Sequence, residues 1–295
     1  MTLRARAFAK INLSLRVLGT RADGYHELRT IFQSIALHDT LTIRAERGPF
    51  HLTCDAANCP DDHANLIWRA AERVWRAAGR RGAPRDVTVD LKKRIPMQAG
   101  LGGGSSDAAA ALRAFARLWR ADEARVRTIA GELGADVPYF FEGGTVLGLE
   151  RGDLLFPLVD APAAWVVLVL PNFGVGTKEA FGWWDARQVH AKDASQLHAK
   201  DTKGGTAHTK DTKETRNDLE AVVSAQYPEI ARVAHALRKS GALHAAMTGS
   251  GSTVFGLFRS RTSASTAARA LASRSRRTAV TRTLNRQQYQ RLAGT

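Results

Sequence analysis

Residues 96–106, Pro-Met-Gln-Ala-Gly-Leu-Gly-Gly-Gly-Ser-Ser, constrain this chain more than any other segment. They lie between an alternating apolar stretch at 87–91, which reads as a strand, and an alanine-rich stretch that reads as a helix. Glycine adopts positive φ and lets the backbone approach a dense anion, while the free N–H groups and dipole at a helix start favour negative charge. Ser105 or Ser106 can cap that helix and offer a hydroxyl to phosphate or magnesium. Two common nucleotide loops are excluded. A P-loop requires Lys and then Ser or Thr after its last glycine, whereas Gly104 is followed by Ser105. A dinucleotide fingerprint counted from Gly100 finds Ser105 where its last glycine belongs. The segment therefore reads as a phosphate-binding loop of another type, with a flexible turn as the alternative.

The 295 residues, 44% of them hydrophobic, can bury a substantial core and suffice for two modest domains. The longest apolar run, 161–170, is too short to span a bilayer, and residues 1–10 lack the apolar stretch of a secretory signal, so a cytoplasmic protein without a membrane partner is expected. Cys54 and Cys59 offer neither a disulfide framework nor four zinc ligands and read as reduced thiols. An excess of 43 Lys and Arg over 28 Asp and Glu gives a formal charge of +15, a surface that attracts anions. Much of it lies in Arg259, Arg261, Arg269, Arg274, Arg276, Arg277, Arg282, Arg286 and Arg291. Only Tyr289 interleaves with them, so a solvated helix face is favoured over a nucleic-acid surface, and no nucleic-acid partner is expected.

Residues 4–17 read as a strand followed by turn residues at Gly19 and Asp23-Gly24, and 41–44 as a further strand. From Asn65 the period changes: Leu66, Ile67, Ala70, Ala71, Val74, Trp75 and Ala78 recur at helical spacing. Leu112, Phe115, Ala116 and Trp119 mark a second helix, and 122–133 a third, before strands at 145–149 and 165–170. This mixed order predicts an α+β architecture with a boundary near 157–163. Within 189–216, near copies beginning at His190, His198 and His208 read as a disordered low-complexity insertion rather than a metal site. Beyond it, helices are predicted at 217–225, 229–239 and 263–271, with strands at 245–247 and 253–258 around a Gly249-Ser250-Gly251 turn.

Three stretches together resemble the GHMP kinase superfamily. The phosphate loop has its pattern of Pro, three variable residues, Gly-Leu-Gly, small residues and Ser-Ser; Ala9-Lys10-Ile11-Asn12-Leu13 resembles its first motif; and residues 247–255, Met-Thr-Gly-Ser-Gly-Ser-Thr-Val-Phe, resemble its third. The resemblance implies an ATP-dependent kinase of two α+β domains. Residues 1–157 would form an N-terminal ATP-binding domain like the second domain of ribosomal protein S5, and 158–295 a ferredoxin-like C-terminal domain. Within the superfamily, stretches 21–28, 65–67, 134–140 and 217–220 resemble the kinases of the non-mevalonate isoprenoid route that act on a cytidine diphosphate-linked polyol.

The same resemblance implies roles. Pro96, Met97, Gln98, Ala99, Gly100, Leu101, Gly102, Gly103, Gly104, Ser105 and Ser106 would hold the phosphates of ATP, with Mg2+ bound through ligands not assigned. Asp136 would be the general base, with Lys10 beside it favouring the alkoxide. Tyr25 and His26 would hold the cytosine, Asn12 the polyol or diphosphate, and Phe181 the far side of the base, with Trp183 or Trp184 as alternatives. Glu150-Arg151-Gly152-Asp153 departs from the family's Gly-Arg-Gly-acid turn. A GHMP kinase for homoserine, mevalonate or a sugar remains open, although Tyr25-His26 argues against it; so does a basic nucleic-acid-binding protein. A monomer or homodimer is expected.

Overall fold

The computed structural model describes residues 1–198 and 216–294. Its first sheet is built on one long antiparallel hairpin, β1 (Thr2–Thr20) and β2 (His26–Pro49). β3 (His51–Cys54) and β4 (Arg85–Lys92) extend it on one side, and β5 (Thr145–Glu150) and β6 (Leu154–Pro157) on the other. β2 changes partner halfway: Leu28 to Gln33 pair with β5, and Thr40 to Ala45 with β4. The predicted strand at 41–44 is thus only part of a 24-residue strand. Buried polar residues at Thr30, Gln33, Ser34 and Asp39 interrupt the alternation by which the rest could be read. They are satisfied internally: Thr145 donates to Gln33 at 2.7 Å, and Gln33 donates to the Leu284 carbonyl at 2.8 Å.

α1 (Leu66–Ala77), α2 (Gly103–Trp119), α3 (Glu123–Leu133) and α4 (Tyr139–Glu142) complete the N-terminal half. Asn65 caps α1 by accepting from Ile67 N–H, and Asp122 caps α3. The apolar stripe of α1 meets Phe115 and Trp119 of α2 over the sheet residues Ala5, Leu41 and Val89.

The second sheet, ordered β10-β7-β9-β8, contains β7 (Trp165–Pro171), β8 (His244–Met247), β9 (Val254–Phe258) and β10 (Arg276–Arg282), all antiparallel. Together with α5 (Thr177–His198), α6 (Asp218–Gln226), α7 (Glu229–Lys239), α8 (Arg261–Leu271) and α9 (Arg286–Ala293) it forms the C-terminal half. Val167 and Val169 pack with Leu219, Val233 and Leu237. Val166, Leu168 and Leu170 face the other way, onto Ile11, Ile35 and Leu101 of the first half. Burial on both faces explains why 165–170 is an unbroken apolar run.

Three readings change. The C-terminal arginines do not share one helix face: Arg276, Arg277 and Arg282 lie on β10, whose Thr278-Ala279-Val280-Thr281 stretch favours a strand, while Arg286 and Arg291 lie on α9. Two of them bind carbonyls: Arg276 donates to Leu271, and Arg286 to Thr145 at 2.9 Å. Tyr289 is buried against Phe8 and donates to the Phe140 carbonyl at 2.7 Å, so α9 returns to the first sheet and the last residues of the chain pack on its beginning. Lastly, α5 continues to His198, so the first repeat copy is helical, as its Ala, Lys, Gln and Leu content allows. The rest of that tract, 199–215, lies outside the described residues.

Asn217 joins the two halves of the C-terminal layer. Its side chain accepts from Leu219 N–H, capping α6, and donates to the carbonyls of Met247 and Gly249, both at 2.8 Å. Asn217→Ala removes a cap and strands two carbonyls, so a loss on the order of 2–4 kcal/mol is expected. Urea unfolding should show a lower midpoint at an unchanged slope; an unaltered midpoint would contradict this role.

Candidate active site

The glycine loop is shaped by what lies beneath it. At Gly100, φ is +73°, and a Cβ there would stand 2.1 Å from the Thr248 carbonyl oxygen, so the loop lies backbone to backbone against the 247–251 turn. Ala99 and Leu101 are buried in the layer between the halves, and the Leu101 carbonyl accepts from Lys10 N–H at 3.0 Å. These two residues anchor the loop rather than present side chains to a ligand.

Gly102, in the left-handed region, is the N-cap of α2, with no side-chain cap. Neither serine therefore caps the helix as expected; they fall inside its first turn. Ser106 is buried, its hydroxyl donating to the Phe8 carbonyl at 2.7 Å and its N–H to Gly102, so its side chain ties the helix to β1. Gly103, Gly104 and Ser105 keep N–H groups for which the helix has no acceptor, and all three line the cavity.

Lys10 and Asp136, 126 positions apart in the chain, meet beside this loop. Lys10 is buried on β1, with Nζ 3.4 Å from Asp136 Oδ2 and 2.8 Å from Asn12 Oδ1. The β1–β2 register is irregular on either side of them, between Phe8 and Lys10 and again between Asn12 and Ser14, as bulges that re-aim side chains do. Asp136 sits between α3 and α4 with its side chain 34% accessible, open enough for a substrate hydroxyl to reach it. Asn12, expected to touch substrate, is largely engaged within the protein. Its oxygen also accepts from Gly249 N–H at 3.0 Å and Thr248 Oγ1 at 3.2 Å, and its Nδ2 donates to Thr30 at 2.7 Å.

The residues of the expected base site line the same cavity. Tyr25 is exposed, with the Arg151 guanidinium 5.1 Å over its ring and Arg151 held by an ion pair to Asp153. Phe181, expected to cover the far side of the base, stacks on His26 at 4.5 Å, where both rings gain by burial on each other. Trp184 meets the same histidine edge-on at 5.6 Å, while Trp183 packs toward Tyr227.

A third cluster escapes the sequence reading. Lys93 Nζ lies 2.5 Å from Asp39 Oδ2 and 2.7 Å from Asp107 Oδ2, all three side chains almost sealed from solvent. Asp39 Oδ1 also accepts from the N–H groups of Arg94 and Ile95. Burial pushes Asp107 up to about 7 against the pull of Lys93, and its Oδ1 has no partner among the described residues. Burial alone would lower Lys93, but Asp107 and Asp39 outweigh it and raise the ammonium. The available signals were faint: a lysine just past the end of β4 and an aspartate in the second turn of an otherwise alanine-rich helix.

Loop, Lys10, Asp136, Tyr25, His26, Lys93 and Asp107 all line one cavity of about 1120 Å³. A single small-molecule site has roughly 300–1,000 Å³, so the cavity is at the large end for one site. Free amides, a paired carboxylate beside them and a cluster of aromatic rings on one cavity define a small-molecule kinase of the GHMP type. Comparison with known proteins agrees. Residues 65–144 match the family model for the GHMP kinases N terminal domain, and 206–276 that for GHMP kinases C terminal, together a little more than half of the chain. A 4-diphosphocytidyl-2-C-methyl-D-erythritol kinase of Pelotomaculum thermopropionicum is 43% identical over 97% of this chain and 99% of its own length; one of Solibacter usitatus is 45% identical over 87% and 81%. A crystal structure of 4-(cytidine 5'-diphospho)-2C-methyl-D-erythritol kinase superposes with a TM-score of 0.74 at 33% identity, covering 95% of this chain and 99% of that one. Homoserine kinase from Cytophaga hutchinsonii, at 18% identity and a TM-score of 0.66, shares the fold. The chain belongs to the 4-diphosphocytidyl-2-C-methyl-D-erythritol kinase family.

Asp107 makes stability depend on pH. Folded, it titrates near 7; unfolded, near the ordinary 3.8. Between these values the native chain keeps a proton that the unfolded chain has released, so the contribution is full below about 4 and is lost as pH rises toward 7. Asp107→Asn should flatten the decline of unfolding free energy over that window, measured by urea titration at each pH. Parallel curves for variant and parent would refute the shift.

Proposed function

We propose that the protein transfers the γ-phosphoryl group of ATP to the 2-hydroxyl of 4-diphosphocytidyl-2-C-methyl-D-erythritol, a step of non-mevalonate isoprenoid precursor synthesis. The observation that carries this reading is the Lys10–Asp136 pair, 3.4 Å apart, on the wall of the cavity that also receives the loop amides. Asp136 takes the proton of the acceptor hydroxyl as its oxygen attacks the γ-phosphorus and the bond to the β-phosphate oxygen breaks, leaving ADP. Lys10 offsets the charge growing on the attacking oxygen. Asn12 holds the ammonium in place, since its oxygen accepts from Lys10 while bonded to Thr248 and Gly249.

The N–H groups at the start of α2 receive the phosphates of ATP, with Gly100 and Gly102 giving the backbone its approach. Magnesium is taken as arriving with ATP and held by its phosphates; Asp136 and Asp107 are the carboxylates lining the cavity on that side, and neither is assigned as its ligand. In the same cavity, Tyr25 and His26 receive the cytosine by stacking and edge hydrogen bonds. No helix among the described residues is long and apolar enough to cross a membrane. We read the enzyme as working in the cytoplasm.

Asp136→Asn is expected to lower kcat by roughly 10²–10⁴, the range for a lost general base, with ATP affinity within about twofold of the parent. Lys10→Ala should fall nearly as far. Transfer from labelled ATP to the cytidyl substrate and to mevalonate, with calorimetric titration of ATP, checks both points. A full turnover number in Asp136→Asn would remove the base assignment, and activity on mevalonate alone would overturn the substrate.

A further inference from the structure

His26 is held from one helix face. On α5, Phe181 stacks on its ring with an interplanar angle of 22°, Trp184 meets its edge, and Asp185 Oδ1 lies 2.8 Å from its Nε2. Positions 181, 184 and 185 are three and four apart, so they project from α5 on one side. The His26 side chain is only 10% accessible, whereas Asp185 is 46% accessible. A carboxylate accepts hydrogen bonds and does not donate them, so the shared hydrogen belongs to Nε2. In a neutral imidazole the other nitrogen, Nδ1, is then an acceptor. Nδ1 has no hydrogen bond among the described residues, and His26 lines the cavity with Tyr25.

We infer that Asp185 is a positioning residue that fixes His26 in the Nε2–H tautomer, so that Nδ1 selects a base carrying an amino donor, cytosine rather than uracil. The two bases differ at ring position 3, where cytosine has an acceptor nitrogen and uracil an N–H donor, and at position 4, where cytosine carries an N–H₂ donor and uracil a carbonyl acceptor. Facing position 4, an Nδ1 lone pair welcomes the amino group and repels the carbonyl, and the flanking aromatic rings prevent the imidazole from turning to evade the choice. Asp185 itself touches no reacting atom. The inference rests on the cytidyl reading of the site.

Two measurements test it on the full chain. The first needs no variant: the side-chain ¹⁵N spectrum, with His26 assigned by its loss in His26→Gln. The neutral Nε2–H form is expected in the parent and a mixture of tautomers in Asp185→Ala. An Nδ1–H form, or a doubly protonated ring at neutral pH, overturns the inference. The second is the ratio of kcat/KM for the cytidyl substrate to that for its uridyl analogue, expected to fall about tenfold or more in Asp185→Ala, the scale of one lost polar contact, and to recover in Asp185→Glu. Saturated turnover on the cytidyl substrate should change by less than about threefold, since transition-state groups are untouched. An unchanged ratio overturns the inference. No activity of the parent on the cytidyl substrate would instead overturn the functional reading, and the base-selection claim with it, while the spectrum still decides the tautomer.

Discussion

The contact between Gly100 and the Thr248 carbonyl governs the rest of the architecture, because it admits no side chain. A Cβ at position 100 would overlap the turn at 2.1 Å, so the phosphate loop and the 247–251 turn can only meet as bare backbone. Asn12 fastens this meeting to β1: one carboxamide oxygen accepts from Lys10, Thr248 and Gly249. Three segments distant in sequence thereby share a single hydrogen-bond hub under the cavity floor. A buried amide of this kind is costly unless saturated, and here Thr30 takes its donor side as well.

Two lysines illustrate how burial separates chemistry from architecture. Lys93 is enclosed between Asp39 and Asp107, and its charge is spent on holding the end of β4 against the start of α2. Removing the lysine from such a sealed group leaves an uncompensated carboxylate, which costs on the order of 3–5 kcal/mol. Lys10 is equally buried, but its partner Asp136 opens to the cavity. That asymmetry leaves the carboxylate reachable from the cavity while the ammonium stays fixed. The cavity thus has one ionic pair open to it and one that keeps its walls together.

Several parts of this arrangement were legible in the chain. The glycine loop announced itself by composition and by its place between a strand and a helix, and the α1 stripe from Leu66 to Ala77 by its period. Asp136 and Lys10 were legible only through family motifs, since nothing local joins residues 126 apart. Lys93, Asp39 and Asp107 were not legible at all: each is a common residue whose importance comes from the other two and from the exclusion of water. Asp185 was hidden for a similar reason, lying one turn beyond Phe181 on a helix the periodicity did not announce. Ser106 was legible but misread, because a hydroxyl beside a glycine run suggests phosphate, while the fold turns it toward the Phe8 carbonyl.

Sequence by itself determined the elements whose signals are local: the loop, the capped amphipathic helices, and the doubly buried strand β7, marked by an unbroken apolar run. It also identified, through motif order, the family of kinases to which the chain belongs. Tertiary structure alone decided which polar groups reach a ligand and which are consumed by the protein, as at Asn12, Ser106 and Lys93. It also decided that Phe181 covers His26 and that Tyr289 closes the first sheet. The physical reason is that backbone conformation responds to neighbours in the chain, whereas a side chain's charge, partner and exposure depend on what packs against it from far away.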